Sequence, residues 1–309
     1  MSENPPPDAR SLQGPLLAAV SRSFYLSLRL LPRGMRDGAS LGYLLARTSD
    51  TIADTANIPV NDRISLLDEY ERSVQSGESF IAPNFLLDSC TDGEKVLLEK
   101  ASEIIAWLAQ LEPAVQLLVH DVLRTIISGQ KLDLQRFGNA SAAQHMELKD
   151  DAELLDYCYR VAGCVGEFWT KLGFHSEGAN FSREPLAVMM PWAKHFGQAL
   201  QLVNILRDLP EDLRAGRFYL PYTSSRSIGE DMLVQHRRWL QQARHLLADG
   251  MLYSDALRGR KLRAATVLPA LLAEETIDKL VSATWQQLEQ RVKVPRSTVF
   301  RCLAEAMLF

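Results

Sequence analysis

The chain has 309 residues, with 34 Lys and Arg against 38 Asp and Glu, which gives a formal net charge of -4. This balance excludes a strongly basic nucleic-acid-binding protein, while 47% hydrophobic residues are typical of a globular protein with a sizeable core. No apolar run reaches the roughly 18 residues that a membrane span requires, and the start MSENPPPDAR is not a signal peptide. We therefore expect a soluble, cytoplasmic protein.

The sequence pattern predicts a tail followed by one helical domain. Residues 1–12 are rich in proline and polar side chains and are predicted to be disordered. Nearly every long segment after them has the apolar periodicity of a helix, so we predict a single all-α domain over 13–309, with a central cavity between helices. The predicted connections, marked by Gly, Pro, Asn and Ser clusters, are residues 55–62, 77–90, 136–149, 174–184, 213–229 and 293–297.

Helix starts, a basic stretch and the cysteines give further expectations. The sequences with the pattern of a capping box are Thr91-x-x-Glu94, Asp150-x-x-Glu153 and Ser227-x-x-Glu230. The stretch His236-Arg237-Arg238 is predicted to be one exposed helix face. The four cysteines show neither CxxC spacing nor a disulfide framework. We expect reduced thiols, with Cys158 and Cys164 in the core.

The segment LGYLLARTSDTIADT carries the first of two aspartate pairs. Asp50 and Asp54 are four residues apart in a sequence patterned as a helix, and residues at this spacing project from one face with Cβ atoms roughly 5–6 Å apart. Arg47 and Tyr43 fall on the same face. Because a polar stripe inside an apolar helix is costly to bury, this stripe is predicted to line a wet or metal-filled cavity.

The segment YCYRVAGCVGEFWTKLG is also patterned as a helix, with Tyr157, Val161 and Val165 on one face. Gly163 and Gly166 lie close to them in the sequence. Glycine inside a helix costs about 1 kcal/mol relative to alanine, so two glycines indicate a close approach by a neighbour. That neighbour is either the backbone of another helix or a ligand, and the spacing favours neither.

The segment LQLVNILRDLPEDLRAGRFYLP carries the second pair, Asp208 and Asp212. Asn204 and Gln201 precede Asp208 on the same predicted helical face. Pro210 lies between the aspartates and cannot donate a backbone hydrogen bond. The helix is therefore expected either to kink at the proline or to end near Asp208, with Asp212 in the next turn.

Each aspartate pair can offer two carboxylates to one ion. Mg²⁺ prefers a few carboxylates together with waters and phosphate oxygens over an all-protein cage. Two such helices facing each other would hold a diphosphate through several metal ions. The four aspartates are therefore the predicted metal ligands. No histidine arrangement typical of zinc sites, no Ser–His–Asp order and no Gly-rich phosphate loop competes with them.

Five blocks of sequence, in their order and separations, resemble the squalene/phytoene synthase family of head-to-head trans-prenyl synthases. They are SRSFYLSLRLLP, YLLARTSDTIADT, YCYRVAGCVG, LQLVNILRDLPEDLRAGRFYLP and, more loosely, GRKLRAATVLPALLA. The resemblance runs from about Ser21 to the C-terminus. It implies the all-α isoprenoid synthase fold, with aspartate-rich helices at the mouth of a central cavity. Pro210 falls where the family varies.

The resemblance also implies roles for individual residues. The implied ligands of Mg²⁺, bridging to substrate diphosphates, are Asp50, Asp54, Asp208 and Asp212. The residues implied near the phosphates are Arg47, Ser21, Ser23, Gln201, Asn204 and Arg207. The residues implied to line the prenyl channel are Phe24, Tyr43, Val161 and Val165. Tyr157 matches a position implicated in the chemistry and is the side chain expected to relay a proton, with released diphosphate as an alternative base.

The reaction implied is condensation of two farnesyl diphosphates to presqualene diphosphate, followed by NADPH-dependent reduction to squalene. The SDTIADT and LRAATVLPALLAEETIDKL blocks resemble squalene synthases more than phytoene synthases. The ending AEAMLF lacks the membrane anchor of eukaryotic squalene synthases, which indicates a soluble bacterial-type form. A phytoene or dehydrosqualene synthase, which needs no reductant, stays open as the alternative.

Two further classes are disfavoured. A class I terpene cyclase would carry an Asn/Ser/Glu metal triad where this chain reads NILRDLPED. A non-catalytic relative acting as an assembly factor would typically lose members of the aspartate set.

The expected partner is a small-molecule prenyl diphosphate, with no obligate protein partner evident. Peripheral contact with the inner face of a membrane, for product release, is compatible with the expected cytoplasmic location. This family binds NADPH without a Rossmann fingerprint, so the lack of one here decides nothing.

Overall fold

The computed structural model describes residues 12–21, 24–221 and 228–308. The described chain is predominantly helical, which confirms the all-α prediction, and it contains two short strands, β1 (Met146–Glu147) and β2 (Arg217–Phe218). The strands pair in parallel, with Met146 opposite Arg217 and Glu147 opposite Phe218. Among the described helices, none is long and apolar enough to cross a membrane.

The chain divides into two compact units. The first unit extends to Leu134 and includes Lys171–Glu177, and the second comprises Gln135–Thr170 and Gly178–Phe309. The prediction that residues 13–309 form one domain stays a prediction.

The first unit begins, in its described part, with a π-helical turn at Leu12–Leu16. Its helices are α1 (Leu17–Ser21), α2 (Phe24–Leu30), α3 (Arg33–Asp54), α4 (Val60–Ser76), α5 (Asn84–Leu87), α6 (Asp92–Glu99), α7 (Ala101–Leu108) and α8 (Pro113–Phe137). The last three residues of α8 belong to the second unit.

The second unit contains most of the remaining helices. These are α9 (Asp151–Cys158), α10 (Cys164–Glu177), α11 (Leu186–Arg214), α12 (Ile228–Ala256), α13 (Arg260–Ser282), α14 (Trp285–Glu289) and α15 (Arg296–Leu308). A π-helical turn at Tyr159–Gly163 joins α9 to α10, and a 3₁₀ turn at Gly178–Asn180 follows α10. The last seven residues of α10 belong to the first unit.

Helix α3, which carries the first aspartate pair, is anchored by a buried apolar face. Leu41, Leu44, Leu45 and Ile52 are all completely buried. Tyr70 of α4 is buried as well and donates a hydrogen bond to the carbonyl oxygen of Leu45 at 3.1 Å. Because burial of this apolar face fixes the rotation of α3 about its axis, it also fixes the direction of the polar stripe.

Helix α11, which carries the second aspartate pair, packs against α12, α13 and the π-helical turn. Two glycines allow the turn and α10 to approach it closely. A Cβ atom on Gly166 would collide with the carbonyl oxygen of Ala193, and one on Gly197 would collide with the carbonyl oxygen of Ala162. Of the two glycines for which a close neighbour was predicted, Gly166 approaches the backbone of α11, and a Cβ atom on Gly163 would lie 3.2 Å from the carbonyl oxygen of Lys194 on the same helix. The close neighbour is therefore another helix.

The predicted connections agree with the structure to within a few residues. Helix α4 already begins at Val60, helix α10 continues to Glu177, and the short helix α5 interrupts the predicted connection 77–90. Leu12, the last residue of the predicted disordered tail, is buried. The predicted tail is therefore one residue too long, and the rest of it lies outside the described residues.

Two of the three predicted helix starts are confirmed. The backbone N–H of Thr91 donates to the Glu94 carboxylate at 3.1 Å, and the Asp150 carboxylate accepts a hydrogen bond from the backbone N–H of Glu153 at 2.9 Å. Each cap satisfies a backbone group that the first helical turn leaves without a partner. The third predicted start, at Ser227, lies outside the described residues.

The prediction that the basic stretch on α12 forms one exposed helix face is wrong. Arg237 and Arg238 are exposed, but His236 is only 1% exposed. Residues next to each other on a helix point about 100° apart, so one member of the stretch can face the core while the others face solvent. The cysteine expectation is confirmed, because Cys158 and Cys164 are both free and buried.

Candidate functional site

The first acidic motif, defined as Arg47, Asp50 and Asp54, lies on the last turns of α3. Arg47 bridges two acids: its Nη1 lies 2.6 Å from Oδ2 of Asp50, and its Nη2 lies 3.1 Å from Oε1 of Glu94 on α6. Asp54 is the last residue of the helix and is exposed. The predicted grouping of Arg47 with the aspartates on one helix is confirmed. The contact of Arg47 with Glu94, on a different helix, was not predicted.

The side chain of Asp50 is 44% exposed, and its pKa reflects both partial burial and charged neighbours. Burial raises the pKa of its carboxyl group above the ordinary aspartate value, against the opposing effect of the Arg47 guanidinium, and the Glu94 carboxylate adds to the rise. The single guanidinium group of Arg47 is therefore shared between the carboxylates of Asp50 and Glu94. Tyr43, one helical turn before Arg47, donates its hydroxyl proton to the Val20 carbonyl oxygen at 3.1 Å.

The second acidic motif, defined as Arg207, Asp208 and Asp212, lies near the end of α11. Both aspartates belong to one helix, because α11 runs through Pro210 to Arg214. Of the two geometries expected, a helix that ends near Asp208 is therefore wrong, while a kink at Pro210 within a continuous helix stays a prediction. Arg207 holds Asp208 with two hydrogen bonds, from Nε at 3.0 Å and from Nη2 at 2.6 Å.

Asp212 has its own arginine. Arg217 of β2 donates from Nε at 3.0 Å and from Nη2 at 2.6 Å to the same carboxylate oxygen of Asp212. The Asp212 side chain is 13% exposed. Burial raises the pKa of this carboxyl group, although Arg217 opposes the rise. A buried carboxylate in this state favours an additional positive charge beside it.

A third arginine reaches the second motif from the segment after α14. Nη2 of Arg291 lies 3.4 Å from Oδ1 of Asp208, and its Nη1 lies 3.9 Å from Oε2 of Glu211. Arg291 has a φ of 63° and is the one non-glycine residue in the left-handed region among those described. Such strain often occurs where a side chain must be aimed at a functional group.

Sequence reasoning missed Glu94, Arg217 and Arg291. A signal existed for two of them. Glu94 belongs to a recognisable capping box, although nothing in that pattern shows its contact with Arg47, and Arg217 lies in the same block as Asp212, five residues later. Arg291 is about 80 residues from its partner and has no local signal.

Tyr157, Val161 and Val165 are half-buried in the second unit. The prediction that they lie on one uninterrupted α-helix is wrong, because the π-helical turn at Tyr159–Gly163 intervenes. The ring of Tyr157 stacks on that of Tyr219, with centroids 5.2 Å apart and an interplanar angle of 27°. Tyr219 is buried, so the structure fixes one face of the Tyr157 ring.

The remaining predicted substrate-binding residues have mixed outcomes. On α11, Gln201 is half-buried and lies two turns before Asp208, and Asn204 is exposed and lies one turn before it. Their predicted placement on the helix of the second motif is confirmed, while their contact with phosphate stays a prediction. Ser23 and the side chains of Ser21 and Phe24 lie outside the described residues.

The donor chemistry of the two motifs fits Mg²⁺. Each motif presents two carboxylates separated by one helical turn, and hard oxygen ligands are those that Mg²⁺ prefers. Among the residues described, no group of three or more His, Cys, Asp or Glu side chains is placed to hold a metal ion. A pair of carboxylates still fits, because Mg²⁺ usually takes only one or two from the protein and completes its shell with water and phosphate.

Comparisons with known proteins agree with the sequence resemblance. The family model described as squalene/phytoene synthase matches residues 17–298. The squalene synthase ERG9 of Gibberella zeae is 25% identical over 307 residues, which cover 94% of this chain and 62% of that protein. The 15-cis-phytoene synthase of Synechocystis sp. is 28% identical over 293 residues, covering 90% and 78% of the two chains. This chain therefore spans less than two thirds of the fungal relative.

A solved structure, that of TcSQS with the ligand E5700, shares the fold. Its TM-score is 0.80 at 23% sequence identity, over 97% of this chain and 86% of that one. This likeness, at such low identity, concerns the fold alone. It confirms the predicted isoprenoid synthase fold, whereas the predicted central cavity stays a prediction.

Proposed function

Because the chain belongs to the squalene/phytoene synthase family of prenyltransferases, we propose that it is a squalene synthase that joins two farnesyl diphosphates head to head. One observation carries this proposal: two acidic motifs, on α3 and α11, each with an arginine bonded to its first aspartate at 2.6 Å. Paired carboxylates and arginines are the groups required to bind and ionise a diphosphate ester.

The two motifs would hold Mg²⁺ through Asp50, Asp54, Asp208 and Asp212. When bound, Mg²⁺ supplies Lewis-acid stabilisation of the negative charge that develops on the leaving diphosphate. The raised pKa of Asp50 and of Asp212, caused mainly by burial, supports this assignment. A carboxylate that is not fully balanced by its arginine gains most from a second positive charge.

Arg47 and Arg207 have a second role in this proposal, as phosphate ligands. Each now donates to a carboxylate, and each presents a planar fork that also fits two phosphate oxygens. Arginines already oriented at the site need little reorganisation when the diphosphate arrives. The side-chain amide groups of Gln201 and Asn204, on the preceding turns of α11, would donate hydrogen bonds to the same diphosphate.

Tyr157 would handle the proton lost when the cyclopropane ring forms. Its ring is held against Tyr219, so its hydroxyl group is restricted in direction, as a proton relay requires. Phe24, Tyr43, Val161 and Val165 would surround the prenyl chains, where burial of each methylene contributes about 0.8 kcal/mol. Aromatic faces at an allylic cation would stabilise it by about 0.5–2 kcal/mol each.

A second candidate function is kept because a specific relative favours it. The phytoene synthase of Synechocystis sp. is 28% identical to this chain, and the same aspartates would serve a phytoene or dehydrosqualene synthase without a reductant. In the preferred proposal the hydride for the reduction to squalene would come from NADPH. A non-catalytic role as an assembly factor is the least favoured, since all four aspartates, Arg47 and Tyr157 are present.

The proposed location is the cytoplasm, with peripheral contact at the inner membrane face for release of a hydrocarbon product. The proposed partner is the prenyl diphosphate substrate, without an obligate protein partner. Such a product is insoluble in water, so a nearby bilayer would take it up.

Product analysis tests the proposed function. Purified protein is incubated with Mg²⁺ and farnesyl or geranylgeranyl diphosphate, with and without NADPH. We expect squalene from farnesyl diphosphate with NADPH, and presqualene diphosphate or slowly formed dehydrosqualene and alcohols without it. A conjugated polyene formed equally fast without NADPH, or a strong preference for the C20 substrate, would replace squalene synthase by the phytoene-type alternative. No release of diphosphate under any condition would favour the non-catalytic role.

A further inference from the structure

Pro210 leaves a gap in the hydrogen bonding of α11. In a regular helix the N–H of residue 210 would donate to the carbonyl oxygen of residue 206, and proline has no N–H. Both Leu206 and Pro210 are buried, so water is a poor substitute donor at this position. A buried carbonyl oxygen without a donor is costly, and the helix nevertheless continues to Arg214.

His236 fills this gap from the neighbouring helix. Its Nε2 lies 3.0 Å from the carbonyl oxygen of Leu206, which is the atom that Pro210 deprives of its usual donor. A carbonyl oxygen only accepts hydrogen bonds, so Nε2 carries the proton. His236 is 1% exposed, and burial lowers its pKa to about 4. The imidazole is therefore neutral at pH 7, with Nδ1 unprotonated.

The position of this bond matters for the second acidic motif. Leu206 precedes Asp208 by two residues, and Pro210 lies midway between Asp208 and Asp212. A distortion at this turn would change the angle between the two carboxylates about the helix axis. Pro191, near the start of α11, differs in its surroundings, because the residue four positions before it, Ala187, is exposed.

We propose that His236 is a positioning residue for the second acidic motif: it supplies the backbone hydrogen bond that Pro210 cannot make and so keeps Asp208 and Asp212 on one helical face. This inference rests on the proposed function for its consequence in catalysis. The hydrogen bond itself is independent of any activity. His236 touches neither substrate nor metal in this role.

A mutant cycle between positions 210 and 236 tests the proposal. Pro210→Ala restores an N–H donor inside the helix, so the donor on the side chain of residue 236 becomes dispensable. We compare wild type, His236→Phe, Pro210→Ala and the double variant. His120→Phe, which replaces a histidine of the first unit that is only partly buried, is the matched control.

Two measurements are made on each variant. In His236→Phe we expect the Mg²⁺ concentration for half-maximal activity to rise about 10-fold or more, as the loss of a supporting residue typically weakens metal binding. We also expect a lower melting temperature without Mg²⁺ or substrate. In the Pro210→Ala background the same replacement should change the half-maximal concentration by less than about 2-fold and lower the melting temperature less. His120→Phe should match wild type in its Mg²⁺ requirement.

Equal effects of His236→Phe in both backgrounds would overturn the proposal, because they would assign His236 a packing role alone. If His236→Phe gives no soluble protein, recovery of soluble double variant supports the proposal and its failure counts against it. His236→Gln keeps an N–H donor and should lie closer to wild type than His236→Phe. If wild type does not turn over farnesyl diphosphate, the proposed function fails, while the melting temperatures still decide whether His236 replaces the missing bond.

Discussion

The two acidic motifs have the same spacing of aspartates but are supported in different ways. The first lies on α3, a helix whose interior contains no proline, and its Arg47 is shared between Asp50 and Glu94. The second lies on α11, where Pro210 separates the aspartates and separate arginines bond to each of them.

This difference shows that one ligand spacing can depend on local or on distant interactions. In the first motif the α-helix alone places the carboxylates, because nothing interrupts its backbone hydrogen bonds. In the second motif the helix needs a donor from α12, and Asp212 needs an arginine from β2. We therefore expect the second motif to be more sensitive to substitutions outside its own helix.

The largest expected effect comes from removing one carboxylate of either motif. Asp50→Asn and Asp208→Asn should each lower turnover of farnesyl diphosphate by roughly 100-fold or more, the order of loss seen when a charge-stabilising group is removed. Each change keeps the side-chain volume, so helical circular dichroism should be unchanged. Steady-state rates at saturating Mg²⁺ are the measurement.

Acids on the same helices provide controls for both variants. Asp37→Asn on α3 and Glu211→Gln on α11 replace exposed carboxylates outside the predicted ligand set, and both should stay near the wild-type rate. Near-normal turnover in Asp50→Asn alone would show that only the second motif is required. Such a result would break the proposed equivalence of the motifs.

The next largest effect is expected at Tyr157, which belongs to the same unit as the second motif. Tyr157→Phe keeps the ring stacked on Tyr219 and loses only the hydroxyl group, so substrate should bind but a step after the first ionisation should slow by about 100-fold or more. Rates of presqualene diphosphate and squalene formation are followed separately. Tyr253→Phe loses a buried hydroxyl group that lies 2.8 Å from the hydroxyl oxygen of Thr170 and should change neither rate. Unaltered rates in Tyr157→Phe would remove it from the proton relay.

A smaller effect is expected on the free energy of unfolding, and it tests the contact of His236 on α12 with the helix of the second motif. Burial lowers the pKa of His236 to about 4 in the folded protein, whereas an unfolded histidine titrates near 6.5. Below pH 6.5 the unfolded chain therefore binds a proton that the folded chain does not. The free energy of unfolding should fall as pH is lowered from 6.5 towards 4, by about 2 kcal/mol between pH 7 and pH 5.

Urea unfolding at the two pH values measures this contribution. His236→Gln should lose less stability over the same interval, since glutamine does not titrate. Other groups titrate in both proteins, so the difference between wild type and variant is the relevant quantity. An identical pH dependence in the two proteins would contradict the buried neutral state of His236.

The smallest effect is expected at Arg291, which contacts Asp208 of the second motif. Arg291→Gly relieves a left-handed backbone and removes two long, exposed ion pairs. The strain costs about 1–2 kcal/mol and each pair contributes about 0–1 kcal/mol. These opposing effects partly cancel, so the free energy of unfolding should change by less than about 2 kcal/mol. Arg291→Ala keeps the strain and loses the pairs, so it should be less stable than Arg291→Gly. The reverse order would contradict the strain.

Much of the fold could be predicted because it depends on local patterns. Apolar periodicity gave the helices, and the i,i+4 spacing placed Asp50 with Asp54 and Arg47 on one stripe of α3. Of the two geometries predicted at Pro210, the helix end near Asp208 was wrong for a physical reason. Proline removes one donor, and whether a helix then ends depends on whether another part of the chain supplies a replacement, which no local pattern shows.

The contacts around the aspartates were the least predictable part of the site. Arg217 reaches Asp212 because β2 pairs with β1, which lies about 70 residues earlier in the chain. Arg291 reaches Asp208 from a segment about 80 residues later. Both contacts depend on the packing of elements that are distant in sequence. In the local sequence, neither arginine differs from an ordinary surface arginine.

The glycines that let α10 and the π-helical turn touch α11 affect how natural variation in this chain should be interpreted. Alanine at Gly166 or Gly197 would drive a methyl group into a main-chain carbonyl group of the neighbouring segment. Selection would therefore reject substitutions there as firmly as at Asp208, although neither glycine takes part in any chemistry. An invariant position in the second unit can thus reflect the spacing between two segments. Substitution at such a position should lower the yield of soluble protein, whereas substitution at a catalytic position should give folded protein without turnover.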